Sequence, residues 1–126
     1  APETLQSLAK STKIPRNPSY NRKDELLEKA DFSIELDLHF EALPQQGIDR
    51  RNPPSILKYQ LEVFDHYIAK AKNLGIEKVF IIHGVGTGVL KKALQDRMKW
   101  NPAVTKFTNE YHPKYGFGAT EVILGG

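Results

Sequence analysis

The sequence predicts an α/β fold in the order β-α-β-α-β-β: one domain, with a four-stranded mixed sheet and two helices. Three observations predict it. Residues 33–40, SIELDLHF, alternate apolar and polar side chains at the period of a half-buried strand. Residues 55–74 and 88–99 carry apolar stripes at helical spacing. Between them KVFIIH, at 78–83, is apolar without alternation, as in a central strand covered on both faces.

Residues 1–32 read as an N-terminal arm or linker. KIPRNPSY carries two prolines and should be extended or irregular, and RKDELLEKA at 22–30 supports at most a short helix. The domain proper spans 33–126. In its first strand Ile34, Leu36, Leu38 and Phe40 share one face, and Glu35, Asp37 and His39 the other. A polar loop, 41–55, holds Gly47, three prolines and the pair Arg50-Arg51. Ser55 is the expected cap of the first helix, Leu57, Leu61, Phe64, Ile68 and Ala71 its apolar stripe, and Gly75 its stop. The β-α-β passage should be a right-handed crossover that makes the first two strands parallel. If helices cover only one face of the 78–83 strand, the N-terminal arm or a partner must cover some of the other. The second helix turns Leu90, Ala93, Leu94 and Met98 inward and ends before Asn101-Pro102. VTKFTNEYH (104–112) and ATEVILG (119–125) close the sheet, joined by PKYGFG.

Composition narrows the functional classes. The chain has 126 residues, enough for one domain with a real core and too few for two. No apolar run reaches the roughly 18 residues of a membrane span, and no signal-peptide pattern opens the chain. There is no cysteine, which excludes disulfides and thiolate zinc sites. The net charge of +3 is a mild basic bias, compatible with nucleic acid. Met98 is the only methionine, so the expected context is a longer parent protein with an upstream region.

The chemistry concentrates in HGVGTGVLKK, 83–92. A strand that feeds a glycine turn opening a helix presents free backbone N–H groups and the positive end of the helix dipole to an anion. The turn lacks the Lys-Ser/Thr of a phosphate-binding Walker loop. It also lacks the third glycine of a dinucleotide fingerprint, because position 89 is valine. Nucleotide cofactors are therefore disfavoured. Gly84, Gly86, Thr87 and Gly88 form the cradle. Lys91 and Lys92 stand where helix electrostatics alone would prefer acids, which makes sense with a phosphate in front of them. His39 ends the first strand and His83 the second. If those strands are parallel neighbours, both histidines and the turn share one edge, where open α/β sheets bind ligands. Asp37, two residues before His39 on the same face, can orient its imidazole. Arg50 and Arg51 leave from the same edge in a loop long enough to act as a flap. His66 reads as a surface residue and His112 as flanking a turn. Trp100 is assigned to the core. Tyr115 and Phe117 are candidates for stacking on a base, with packing the plainer role.

LDLHF, IIHGVGTGVLKKAL and YGFGATEVIL, in this order and at these separations, resemble the small MutS-related (Smr) domain over residues 33 to about 124. Leu36, Asp37, Leu38 and His39 match its Leu-Asp-Leu-His-Gly motif, with Phe40 in place of the glycine. His83, Gly84, Gly86, Thr87, Gly88 and Leu90 match its His-Gly-x-Gly motif and the continuation. Gly116, Gly118, Ala119 and Thr120 match its last turn. The resemblance implies an α+β two-layer sandwich like the C-terminal domain of bacterial translation initiation factor 3. It also implies nucleic-acid binding, and in many members endonuclease activity in DNA repair, recombination or ribosome rescue. The matching Asp37, His39 and His83 would be the catalytic residues of a cytoplasmic protein. RNA or DNA would be its partner, with the ribosome as a further candidate.

Two histidines flanking a phosphate can act as general base and general acid on RNA, with no metal or other cofactor. DNA lacks the 2′-hydroxyl, so its cleavage needs an activated water, for which a divalent metal on Asp37 is the usual route. The alternatives are a non-catalytic module that binds nucleic acid or a ribosome surface, and a protein-interaction adaptor.

Overall fold

The computed structural model describes residues 22–44 and 47–125, with the side chains of 22–25 left out; KIPRNPSY lies outside the described residues. The chain divides into two compact units, Ala1–Ala30 and Asp31–Gly126. Residues 22–30 of helix α1 (Arg22–Asp31) are the described part of the first.

The second unit runs β1 (Glu35–Asp37), a 3-10 turn (Phe40–Ala42), α2 (Pro53–Asn73), β2 (Lys78–Ile82), α3 (Val89–Lys99), β3 (Val104–Thr108) and β4 (Ala119–Leu124). The sheet order is β1-β2-β4-β3. β1 is parallel to β2, with Asp37 opposite Ile82, and the other two pairings are antiparallel. This is the mixed α/β sheet that the sequence predicts.

Each helix is ended by local chemistry. Asn52, not Ser55, caps α2: its side chain accepts from the Ser55 amide at 3.2 Å, and Pro53 and Pro54 fill the first turn, where missing N–H groups cost nothing. At the far end Ile76 N–H donates to Ala71 and Gly75 N–H to Lys72, a Schellman motif that needs the left-handed Gly75. α3 ends at Lys99. Leu94 and Met98 take its inward positions, so Trp100, about 200° further round from Met98, faces outward. It is 80% exposed with Lys99 over its ring, which corrects its assignment to the core.

α2 and α3 cover one sheet face. Leu38, Phe64, Ile68, Val79, Ile81, Leu94, Met98 and Val122 are all but fully buried there, each aliphatic or aromatic side chain stabilising the fold by about 1.5–3 kcal/mol. The first strand is shorter than its alternation suggests. β1 stops at Asp37, Ile34 is exposed, and Phe40 leaves the strand for the 3-10 turn, where it is buried edge-on against Tyr59. The third strand also stops early. After Thr108, Asn109 spends its side-chain amide on the carbonyls of Phe117 and Ala119, and the ladder gives way to a turn. That turn folds over the opposite sheet face. The His112 ring packs on Phe80 at 5.1 Å and the Tyr115 hydroxyl donates to Glu35 at 2.7 Å. The chain thus covers part of this face with its own 112–116 segment, where the sequence pointed to the arm or a partner.

Candidate phosphate site at the edge of the parallel strands

β1 and β2 run parallel and end together, so the segments that leave them meet at one edge. Asp37 is the last residue of β1. Its Oδ1 accepts from the His39 backbone N–H at 2.9 Å and lies 2.7 Å from His39 Nδ1. A carboxylate can only accept, so Nδ1 carries the proton of this pair, and in that tautomer of the imidazole the lone pair lies on Nε2. Both side chains are about half exposed.

Nε2 faces the glycine turn. Gly84 has φ +76°, and a Cβ added there would sit 2.8 Å from His39 Nε2. Gly86 and Gly88 also have positive φ, at +37° and +85°. The residues of this loop turn tightly over Gly86 and Thr87 and run on into the N-terminus of α3. They surround a cleft of about 190 Å³, lined also by Gln60, His83 and Lys91. Gly88 caps α3 with no side-chain bond and no acid follows in the first turn, so the helix end stays positive.

His83 is different. It is 8% exposed, with Nδ1 2.7 Å from the Gly84 carbonyl and Nε2 2.9 Å from Thr120 Oγ1. A carbonyl only accepts, so Nδ1 donates and Nε2 accepts from the threonine hydroxyl. Burial pushes its pKa below the ordinary value near 6.5, against the Gly84 carbonyl, and the positive fields of Lys91 and His39 push the same way. His83 is neutral and doubly bonded, a post that holds the turn against β4. The two histidines thus present themselves differently to the cleft: His39 turns Nε2 toward the turn, whereas both ring nitrogens of His83 are hydrogen-bonded within the protein.

The predicted cations separate as well. Lys91 lines the cleft, whereas Lys92 points into solvent. Arg50 lies over the Phe40 ring at 5.7 Å, next to His39, and reaches Glu41 at 4.0 Å. Arg51 is 92% exposed and turned to Asp49 at 3.5 Å. Phe40 does not block the edge, because its ring is buried. Sequence reasoning missed Gln60, whose amide donates to the Leu38 carbonyl at 2.8 Å and lines the cleft. It also missed the role of Thr120. The signals in the sequence were a polar residue four positions before Phe64 on the buried side of α2, and a hydroxyl within an apolar strand.

Among the described residues no three His, Asp or Glu side chains gather as a metal site, and no helix is long and apolar enough to cross a membrane.

The Smr domain family profile matches residues 58–125. Endonuclease MutS2 of Carboxydothermus hydrogenoformans is 38% identical over 100 residues, covering 79% of this chain and 11% of the relative. Endonuclease MutS2 of Staphylococcus saprophyticus is 31% identical, covering 84% and 17%. The chain thus spans well under a fifth of these relatives. The Smr domain of Thermus thermophilus MutS2 superposes with a TM-score of 0.55 at 26% identity, covering 73% of this chain and 98% of that one. YdaL, a stand-alone small MutS-related protein from Escherichia coli, shares the fold with a TM-score of 0.52 at 20% identity, covering 88% and 80%.

Proposed function

Because the chain belongs to the Smr domain family, we propose that it binds single-stranded nucleic acid at the 84–91 turn and cleaves a phosphodiester there, with His39 as general base. Its relatives carry the name endonuclease. The observation that carries the reading is the Asp37–His39 contact, which leaves Nε2 with its lone pair against Gly84.

RNA suits this geometry best. The turn amides and Lys91 hold the phosphate. His39 Nε2 takes the proton of the adjacent 2′-hydroxyl, whose oxygen attacks phosphorus. Asp37 steadies the imidazolium that forms. The amides stabilise the charge growing on the phosphate oxygens. The bond to the 5′-oxygen breaks, and that oxygen takes a proton from water, since His83 has none to spare. The products are a 2′,3′-cyclic phosphate and a 5′-hydroxyl. No step calls for a metal. A water attack on DNA would need an activating group beyond His39.

The engagement of His83 supports a second reading, a module that binds the strand without cutting it. Incubation of a labelled single-stranded RNA with wild-type and His39→Ala protein decides between them. The catalytic reading expects cleavage that falls roughly 10²–10⁴-fold in the variant with binding kept. Binding with no cleavage by either protein leaves the module.

A further inference from the structure

We propose that Tyr111 and Phe117 form a stacking platform for one unpaired nucleobase beside the phosphate cleft, which makes the domain selective for single strands over duplex. The inference rests on the nucleic-acid reading above and names its substrate class. Tyr111 and Phe117 are 67% and 57% exposed, their rings 5.4 Å apart at 73°. Two large aromatic rings left in water side by side are a surface feature that calls for a ligand.

Their position ties them to the cleft. Phe117 is one residue, about 3.8 Å of backbone, from Gly118. The Gly118 carbonyl accepts the amides of both His83 and Gly84, and a Cβ on Gly118 would lie 3.3 Å from the Gly84 Cα. Two glycines packed backbone to backbone thus bring the aromatic pair against the turn. A base next to the held phosphate is on the same short stretch of strand, so the pair is placed to receive it.

The platform is also rigid. His112 and Gly116 exchange two backbone bonds of 2.8 and 2.7 Å. His112 Nδ1 accepts from the Lys114 and Tyr115 amides, and Asn109 donates to the Phe117 carbonyl. The Tyr115 hydroxyl donates to Glu35 and its ring packs beside His112 at 5.0 Å, so Tyr115 serves the turn and is left out of the platform. The conformational freedom lost on binding is therefore small. Beside Tyr111 a cleft of about 300 Å³ is walled by Phe80, His112, Thr108 and Glu110. The Glu110 carboxylate repels phosphate and accepts from a base amino group. In a duplex both faces of each base are already stacked, so the platform takes only an unpaired one.

The test measures binding of the intact chain to three labelled probes: a single-stranded oligonucleotide, the same backbone with abasic sugars, and the matching duplex. Phe117→Leu and Tyr111→Leu should weaken the single strand roughly 5- to 100-fold, the scale of one base–aromatic stack, and leave the abasic strand unchanged. Phe117→Trp, in a Trp100→Phe background, should keep affinity and be quenched by the single strand alone. Equal loss for the abasic strand, or no loss with either leucine variant while Lys91→Gln still weakens binding, overturns the platform and leaves the phosphate site standing. Failure of the wild type to bind any probe overturns both.

Discussion

His39 Nε2 lies only 2.8 Å from the point where the Cβ of any residue but glycine would stand at position 84. The absence of a side chain at Gly84 is what lets the imidazole reach the turn. Gly84→Ala meets this contact and the strain of φ +76° together. Gly86→Ala meets strain alone, since nothing lies within 4 Å of its added Cβ. Left-handed strain costs roughly 1–2 kcal/mol. Both variants should lose about that much in denaturant unfolding, and Gly84→Ala alone should lose cleavage well beyond its loss of stability. Equal activity in the two variants would dissociate His39 from the turn.

Asp37→Asn should lower the cleavage rate while sparing the fold. The pair is half exposed, so its removal should cost within about 1 kcal/mol. An asparagine can still accept from the His39 backbone, but it carries no charge to stabilise the imidazolium. Single-turnover rates beside unfolding curves check this. A fold that collapses with Asp37→Asn would make the pair structural.

Thr120→Val removes the hydroxyl that donates to His83 Nε2 and leaves a buried acceptor unpaired, at a cost of about 1–3 kcal/mol. The pH dependence has a definite sign. The folded state lowers the His83 pKa, so between the lowered value and the ordinary one near 6.5 the unfolded chain holds more protons. The stability tied to neutral His83 is complete above about pH 6.5 and is lost as the pH falls through the folded value. Unfolding free energy measured from pH 7.5 to 5 should fall more steeply for wild type than for His83→Gln. Parallel curves would remove His83 from the acid sensitivity.

Lys91 and Arg51 should behave unlike each other. Lys91→Gln should weaken single strands of every sequence and flatten the salt dependence by about 0.7 in log–log slope, one phosphate contact. Arg51→Gln, at a side chain turned to Asp49, should change neither. Titrations between low and moderate salt read both effects.

Much of this was legible in the residues. The alternation of Leu36 and Leu38 against Asp37, and the unbroken run Val79–Ile82, led to a parallel pair ending at one edge, and the glycines of 84–88 led to the turn. The ends of elements were less legible. Phe40 continues the alternation, yet its burial is won by leaving the strand, a decision made by Tyr59, nineteen positions away in the chain. Trp100 looked like core by type and proved exposed by helical phase. The unlike fates of His39 and His83 were hidden because a strand-end histidine reads the same whether its partner is Asp37 or Thr120 across the sheet.

The central claim is that His39, held by Asp37 against the glycine turn, is the base that cuts the strand. The measurement that tests it most directly is product analysis of a single-stranded RNA, and of the same strand with one 2′-deoxy linkage, cleaved in chelator. The account predicts a 2′,3′-cyclic phosphate and a 5′-hydroxyl, no cut at the deoxy linkage, and loss of both products in His39→Ala. Cleavage by His39→Ala at the wild-type rate, or equal cutting of the deoxy linkage, would contradict it.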